Sequence, residues 1–180
     1  MRVISGKYRG LNLAQFHGKD IRPTSDRAKV SLFNILSFKI AGARVLDLFC
    51  GSGSLGIECL SRGASFVQFN DISPASIAVL NKNLARLRGE NFAVSTADWR
   101  VCLAAAREPF DIIFIDPPYA LPIGEQAVRE IADARLLKAD GTMVFERDRP
   151  FDGVVTGLSM YDVRKYGKAY LSFFTTDRAD

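Results

Sequence analysis

Between residues 44 and 150, short apolar segments alternate with longer stretches that have the spacing of amphipathic helices. Alternating strands and helices imply right-handed crossovers and a mostly parallel sheet covered on both faces. The pattern therefore predicts a Rossmann-like, doubly wound α/β fold. The predicted strand cores are Val45–Phe49, Phe66–Phe69, Phe92–Val94, Ile112–Ile115 and Met143–Phe145, and the predicted helices are Leu55–Arg62, Ala75–Arg88, Arg100–Arg107 and Gly124–Leu137.

The C-terminal part of the chain departs from this alternation. Val154–Val163 and Ala169–Thr175 are both rich in strand-forming residues, and they flank the turn Tyr166-Gly167-Lys168. Two such runs around a short glycine-containing turn predict an antiparallel hairpin. We therefore expect a seven-stranded sheet that is mostly parallel and ends in this hairpin.

The N-terminal part is expected to form a small extension to the sheet. Arg2–Ser5 and Leu11–Phe16 suit a short hairpin. A residue within Thr24–Asp26 can then cap a helix that runs to about Phe38. At 180 residues, the chain is expected to be one domain, with an extension over residues 1–42 and a core over residues 43–180.

Positive charge is concentrated in this extension. Residues 1–44 contain nine Lys or Arg residues and only two acids, whereas the rest of the chain contains fifteen basic and eighteen acidic residues. A basic arm on a mildly acidic body is typical of a segment that binds phosphate groups. Charge alone does not exclude a merely solvated surface segment.

Cysteine and histidine usage limits the kinds of site that the chain can build. Cys50, Cys59 and Cys102 are far apart, and His17 is the single histidine. This composition supports neither a disulfide framework nor a zinc site. No segment approaches the roughly 20 apolar residues of a membrane span, and the N-terminus lacks a secretory signal. We therefore expect a cytoplasmic protein without a metal.

A glycine-rich turn follows the first predicted strand. In Asp47–Gly56 (DLFCGSGSLG), Gly51 and Gly53 permit a tight turn and a close approach of the backbone to a ligand. Gly56 lets the next helix pack near the strand. The turn also matches G-x-G-x-x-G, with Asp71 about where the ribose-binding acid of a nicotinamide enzyme would lie. The motif alone therefore leaves a nicotinamide-dependent oxidoreductase open.

Three acids at the ends of successive predicted strands argue for a different ligand. Asp47 would repel a pyrophosphate but can bind the cationic amino group of S-adenosylmethionine. Asp98 is placed to accept a hydrogen bond from an adenine amine, and Asp71 can serve the ribose. Trp99 can cover the adenine or belong to the core. The expected cofactor contacts are Asp47, Gly51, Ser52, Gly53, Asp71, Ile72, Asp98 and Trp99.

The fourth predicted strand runs directly into Asp116-Pro117-Pro118-Tyr119, on the ligand side of a doubly wound sheet. An exocyclic base amine is a poor nucleophile because its lone pair is delocalised into the ring. The Asp116 carboxylate and the Pro117 carbonyl can hold its two hydrogens and aim the lone pair at a methyl donor. Consecutive prolines fix φ and remove backbone donors, and Tyr119 offers a face to an unstacked base. The tetrapeptide therefore predicts methyl transfer to an exocyclic amine of a nucleic-acid base.

Four stretches of the chain also match one known family: Arg2–Gly10 (RVISGKYRG), Arg22–Arg27 (RPTSDR) followed by Leu32-Phe33-Asn34, Leu46–Glu58 and Asp116–Tyr119. Through them the chain resembles the RsmD family of bacterial methyltransferases, which act on the N2 amine of one guanine in 16S ribosomal RNA. The last two stretches are shared widely among methyltransferases. The first two are more specific, and they lie in the basic extension.

The resemblance implies roles for particular residues. It implies that Asp47, Phe49, Gly51 and Gly53 contact the methyl donor, with Asp98 near its adenine. It also implies that Asp116–Tyr119 hold the guanine and that the extension meets RNA. Two departures stand out, because Val30 and Phe69 occupy positions where the family usually has glutamate. The residues expected to bind RNA are Lys7, Arg9, Arg22 and Arg27. The expected partner is ribosomal RNA in the 30S subunit or in an assembly intermediate. The protein is expected to act as a monomer.

Three alternatives remain. An adenine-N6 methyltransferase acting on DNA or RNA would use the same tetrapeptide, although 180 residues leave little room for a DNA target-recognition domain. A nicotinamide-dependent oxidoreductase would need a hydride-transfer acid or base, and His17 lies outside the strand-end loops. A non-catalytic RNA-binding module would have no reason to keep Asp47, Asp98 and Asp116 together.

Overall fold

The computed structural model describes residues 1–15, 26–119 and 121–177, and for Asp26 and Arg27 it describes the backbone alone. The helices in this part of the chain are α1 (Asp26–Ile35), α2 (Ser54–Ser61), α3 (Pro74–Leu84), α4 (Trp99–Ala105) and α5 (Ile123–Asp133). The strands are β1 (Arg44–Asp47), β2 (Phe66–Asn70), β3 (Phe92–Ser95), β4 (Phe110–Ile115), β5 (Leu137–Arg147), β6 (Leu158–Tyr166) and β7 (Ala169–Thr176). No described helix is long and apolar enough to cross a membrane.

The strands form one seven-stranded sheet in the order β3-β2-β1-β4-β5-β7-β6. Strands β1 to β5 pair in parallel, whereas β7 runs antiparallel to both β5 and β6. The order reverses between β1 and β4, and this crevice is where open α/β sheets bind ligands. The predicted Rossmann-like sheet with an antiparallel terminal hairpin is confirmed.

Each face of the sheet is covered by its own set of helices. Strand residues alternate between the faces, so Val45 and Val144 pack with α1, α2 and α3, whereas Leu46 and Phe145 pack with α4 and α5. The residues that immediately follow Leu46 and Phe145 therefore belong to the α1 side. This alternation positions the acidic side chains of the site.

Several predicted boundaries are wrong. Leu137 begins β5 and does not end α5, because Arg135 adopts a φ of +52° that breaks the helix. The terminal hairpin begins at Leu158 and not at Val154, because Gly157 adopts a φ of +84°. Helix α1 ends at Ile35 rather than Phe38, whereas its predicted caps Thr24 and Ser25 lie outside the described residues.

Within residues 1–15, the predicted N-terminal hairpin is reduced to one antiparallel bridge between Arg2 and Asn12. The Val3 amide donates to the Leu11 carbonyl at 3.0 Å, and the Gly10 amide donates to the Val3 carbonyl at 2.9 Å. Gly6 adopts a φ of +83°, and a Cβ there would lie 1.8 Å from the Ser61 carbonyl oxygen of α2. This close approach to α2 holds the segment as a compact turn in place of two strands.

A buried carboxylate fixes the extension to the core. Glu58 of α2 is fully buried and accepts hydrogen bonds from the backbone amides of Ile4 at 2.8 Å and Ser5 at 3.0 Å. It also forms ion pairs with Lys29 Nζ at 3.2 Å and with Arg62 Nε at 2.8 Å. Lys29 is itself fully buried in α1. One side chain therefore joins the N-terminal turn, α1 and α2.

Candidate active site

Three carboxylates lie at the carboxyl ends of neighbouring strands on the α1 side of the sheet. Asp47 ends β1, Asp116 follows β4, and Glu146 lies near the end of β5. Ile115 of β4 pairs with Phe145 of β5. Asp116 directly follows Ile115 and Glu146 directly follows Phe145, so the two acids lie side by side on strands about 4.8 Å apart. The charges of Glu146 and Asp47 both act on Asp116. The sequence predicted Asp47 and Asp116 but missed Glu146.

The glycine turn wraps around Asp47. Asp47 is buried, and its Oδ2 accepts a hydrogen bond from the Gly56 amide at 2.9 Å. Burial raises the pKa of Asp47 to about 7, and the negative charge of Asp71 adds to this effect. Gly51 and Gly53 have φ values of +53° and +80°, which confirms that they allow the tight turn. The carboxyl group of Asp47 thus sits behind the turn, and a cation bound beside it would favour its ionised form.

The turn can approach the core only because it is built from glycine. A Cβ on Gly53 would lie 2.2 Å from Leu80 Cδ1, and a Cβ on Gly56 would lie 2.2 Å from Phe69 Cε1. Phe69 is fully buried and fills the space beneath Gly56. A side chain at position 69 therefore faces the core, and the acid available at the end of β2 is Asp71.

Asp71 ties the second strand to the glycine turn. Its Oδ2 accepts from the Gly51 amide at 2.9 Å, and its Oδ1 accepts from the Ser73 amide at 2.8 Å. Ionised carboxylate oxygens have about four acceptor sites in all, so these two bonds leave capacity for a ligand hydroxyl. Ile72 beside it is 67% exposed, which leaves an apolar surface next to the acid.

Asp98 and Trp99 lie at the start of α4. Asp98 caps the helix, since its Oδ1 accepts from the Arg100 amide at 2.9 Å. Trp99 is only 4% exposed and packs in the core on the α4 side, with the Arg100 guanidinium 4.2 Å from its ring centre. Most of the Trp99 ring is therefore committed to packing, and at most an edge faces a ligand.

The tetrapeptide lies against the start of α5. Burial raises the pKa of Asp116 well above its usual range, and the charges of Glu146 and Asp47 raise it further. Pro117 packs closely on Gly124, where a Cβ would lie 2.8 Å from Pro117 Cγ. Pro118 is exposed. The two prolines thus hold Asp116 at the end of β4, and this carboxyl group is well suited to take up a proton.

A cavity of about 170 Å³ opens beside the tetrapeptide. Pro117, Tyr119, Phe145 and Glu146 contribute to its walls. The Tyr119 hydroxyl donates to Glu146 Oε1 at 2.7 Å, which fixes the phenol ring relative to β5. In the described part of the chain, no three His, Cys, Asp or Glu side chains are grouped so that they could hold a metal ion.

The family model described as "Conserved hypothetical protein 95" matches residues 1–175. Ribosomal RNA small subunit methyltransferase D of Escherichia coli is 35% identical over 156 residues, which cover 87% of this chain and 78% of the relative. The protein of the same name from Haemophilus influenzae is 34% identical over 157 residues, with 83% and 81% covered. The chain belongs to the RsmD family. Membership of this family confirms the resemblance that the four sequence stretches predicted.

Solved structures agree with this assignment. The structure of a methyltransferase from Escherichia coli superposes with a TM-score of 0.89 at 31% sequence identity and covers 98% of both chains. A hypothetical protein from Thermus thermophilus gives a TM-score of 0.81 at 28% identity, with 96% of this chain and 98% of that one covered. Both structures therefore match nearly the full length of this chain and not the sheet alone.

In this RsmD-family chain, the extension reaches the glycine turn through Asn83 of α3. Asn83 is fully buried; its Oδ1 accepts from the Ala14 amide at 2.7 Å and its Nδ2 donates to the Ser52 carbonyl at 2.9 Å. Gln15 Nε2 lies 3.4 Å from Ser52 Oγ. No sequence pattern marked Asn83, because a polar residue on an amphipathic helix is usually solvated. Ala14 and Gln15 therefore lie beside the glycine turn.

The basic residues predicted to bind RNA differ in their surroundings. Lys7 Nζ pairs with Glu90 Oε1 at 2.7 Å and donates to the Arg88 carbonyl at 2.9 Å. Arg9 is exposed and shares with Arg2 the wall of a second cavity, of about 280 Å³, whose other walls include Val30. Arg22 and the Arg27 side chain lie outside the described residues. Arg2, which lines the same cavity, was not among the residues predicted to bind RNA.

Proposed function

We propose that this RsmD-family chain transfers the methyl group of S-adenosylmethionine to the N2 amine of a guanine in small-subunit ribosomal RNA. The proposal rests chiefly on one observation: the Asp116-Pro117 end of β4 lies beside the glycine turn that holds Asp47. The names of the relatives from Escherichia coli and Haemophilus influenzae support ribosomal RNA as the substrate. With such a substrate, we propose a cytoplasmic monomer that acts on the 30S subunit or an assembly intermediate.

The residues around the glycine turn suit this methyl donor. Asp47 offers a carboxylate to the ammonium group, and Asp71 has acceptor capacity for the ribose hydroxyls. Ile72 offers an exposed apolar surface to the adenine, with Asp98 near its amine. Phe49, Ser52 and the edge of Trp99 complete the proposed contacts. Two neighbouring carboxylates, Asp47 and Asp71, make the site unfavourable for a pyrophosphate, which argues against the nicotinamide alternative.

Methyl transfer then depends on how the chain holds the amine. S-adenosylmethionine would supply an electrophilic methyl group on a sulfonium. Asp116 and the Pro117 carbonyl accept the two amine hydrogens, which localises the nitrogen lone pair and directs it toward the donor. The phenol ring of Tyr119, fixed by its bond to Glu146, supports the extruded base. As the nitrogen–carbon bond forms, the sulfur–methyl bond of the donor would break to give S-adenosylhomocysteine, and the surplus amine proton passes to Asp116 or to water.

Cofactor affinity should depend on pH through Asp47. Its pKa of about 7 means that the carboxyl is mostly protonated at pH 6, where it cannot pair with the ligand ammonium. We expect the dissociation constant for S-adenosylmethionine to be about 5- to 10-fold higher at pH 6.0 than at pH 7.5. Titration calorimetry measures this difference. Asp47→Asn should bind weakly at both values, and a wild-type constant that did not change with pH would contradict the role of Asp47.

RNA binding should depend on the exposed arginines of the extension. The double variant Arg2→Gln/Arg9→Gln should weaken binding to small-subunit RNA and flatten its salt dependence, by up to about 0.7 in the log–log slope for each lost phosphate contact. Filter binding at several salt concentrations gives both values. Arg107→Gln/Arg135→Gln is the matched control, since these exposed arginines follow helices on the other face of the sheet. If the salt dependence of Arg2→Gln/Arg9→Gln equalled that of the wild-type protein, these arginines would be ordinary solvated surface residues that do not contact RNA phosphates.

The direct test of the function is transfer of label from S-adenosylmethionine. The assay compares 30S subunits, naked small-subunit RNA and DNA as acceptors. We expect label in RNA, with the subunit or an assembly intermediate preferred over naked RNA. Label in DNA alone would favour the adenine-N6 alternative, and calorimetric binding of NAD without binding of S-adenosylmethionine would favour the oxidoreductase.

A further inference from the structure

We propose that Glu146 selects guanine over adenine by accepting a hydrogen bond from N1–H of the target base while Asp116 and Pro117 hold the N2 amine. The inference rests on the proposed function and deepens it. The Asp116-Pro117-Pro118-Tyr119 tetrapeptide is suited to an exocyclic amine of either base, so selection requires a further group. Glu146 is that group because of its position, its orientation and its chemistry.

The position of Glu146 follows from the register of β4 and β5. Ile115 and Phe145 are paired, so the next residue of each strand, Asp116 and Glu146, lies at the same edge of the sheet. Their charges interact, and Glu146 shares the walls of the 170 Å³ cavity with Pro117 and Tyr119. A base that presents its amine to Asp116 therefore brings the adjacent ring atom, N1, toward Glu146.

The orientation of Glu146 is set by Tyr119. The Tyr119 hydroxyl donates to Glu146 Oε1 at 2.7 Å, and Glu146 is only 6% exposed. A phenol that donates to a carboxylate favours the ionised form of that carboxylate. The phenol thus holds one carboxylate oxygen in place, and Glu146 offers carboxylate oxygens as hydrogen-bond acceptors.

The chemistry of the two bases then separates them. On its Watson–Crick edge, guanine carries N1–H next to the N2 amine, and both groups are donors. Adenine carries an N1 lone pair next to its N6 amine. An ionised carboxylate accepts hydrogen bonds only, so Glu146 pairs with guanine N1–H and repels the N1 of adenine. Sites that hydrogen-bond a substrate group can reject an analogue lacking it by about 10⁴- to 10⁵-fold.

The experiment uses a base that keeps the amine but lacks the N1 hydrogen. Synthetic RNA fragments carry guanine or 2-aminopurine at the nucleotide that labelled transfer identifies. For the wild-type protein, we expect kcat/KM to be at least about 10²-fold lower on 2-aminopurine than on guanine. Glu146→Gln should lower transfer to guanine by about 10- to 100-fold and change transfer to 2-aminopurine little, because an amide can accept from one base or donate to the other.

A collapse of the guanine to 2-aminopurine ratio in Glu146→Gln is therefore the supporting result. A loss of folding or of cofactor binding would lower both rates together and leave the ratio unchanged. Glu130→Gln, an exchange of the same chemistry on α5, should keep the wild-type ratio. Equal wild-type rates on the two bases, or an unchanged ratio in Glu146→Gln, would overturn the proposal while leaving the proposed function intact. Wild-type transfer to adenine, or to no RNA, would instead overturn the proposed function and this inference with it.

Discussion

Asp116→Asn should reduce methyl transfer by at least about 10³-fold while leaving the affinity for S-adenosylmethionine nearly unchanged. Asparagine has the shape of aspartate but carries no negative charge, and its amide can present N–H groups to an amine whose hydrogens need acceptors. The donor contacts proposed for Asp47 and Asp71 stay in place. Single-turnover kinetics with 30S subunits measures the transfer, and calorimetry measures cofactor affinity.

The same variant should be more stable than the wild-type protein at pH 8. The pKa of Asp116 is raised above the value of 3.8 that an unperturbed carboxyl has. Ionising Asp116 therefore costs the wild-type protein stability as the pH rises from the pKa that Asp116 has in the unfolded chain toward its higher pKa in the folded protein. Asparagine does not ionise, so the variant avoids this loss. A higher thermal midpoint together with lost activity would separate catalysis from folding. Asp133→Asn, at an exposed position of α5, serves as the control, and near-normal turnover of Asp116→Asn would refute the amine-holding role.

Glu58→Ala should destabilise the fold by about 3–5 kcal/mol. Removing one partner of a buried ion pair leaves the other charge buried without it, and here Lys29 is fully buried. The backbone amides of Ile4 and Ser5 also lose their acceptor. Urea unfolding measures the free energy. RNA binding should weaken as well, because the turn that carries Arg2 and Arg9 would no longer be held against α2.

Two comparisons make the Glu58 result interpretable. The double variant Lys29→Met/Glu58→Leu should lose less stability than Glu58→Ala, because apolar residues of similar volume often replace a buried pair without loss. Glu108→Ala should change the free energy of unfolding by less than about 1 kcal/mol, because Glu108 is 70% exposed in its ion pair with Arg44. A cost below about 1 kcal/mol for Glu58→Ala would show that the extension does not depend on this carboxylate.

The fold could be predicted because its signals are local. Apolar strands such as Ile112–Ile115 alternate with helical periodicity, and that alternation dictates a parallel sheet. The boundaries depended on single backbone conformations that the pattern does not encode, such as the positive φ of Arg135, a residue that seldom adopts it. Glycine at position 157 marked a break, but it did not say on which side of the break β6 begins.

The site could be predicted where an acid or a glycine directly follows an isolated apolar strand. Asp47 and Asp116 do so, and the structure brings them together. Glu146 was not predicted, because a charged pair such as Glu146-Arg147 at the end of a strand is usually exposed to solvent. Both are buried instead, because β7 pairs with this end of β5 and joins Glu146 to Leu171 and Arg147 to Tyr170.

Long-range partners explain the remaining differences. Lys7 was predicted to bind RNA, and its ammonium pairs with Glu90, which is 83 residues away in the chain. Glu58 and Asn83 serve backbone groups of the N-terminal segment from α2 and α3. No local sequence pattern predicts either contact, because each depends on how the extension folds back over the helices.

The measurement that tests the proposed function most directly is identification of the methylated nucleoside. 30S subunits and their precursors are incubated with the protein and labelled S-adenosylmethionine, and the RNA is digested to nucleosides. We predict a single labelled product, N2-methylguanosine, which Asp116→Asn does not form. N6-methyladenosine as the labelled product, or no labelled nucleoside from any small-subunit particle, would contradict the proposed function.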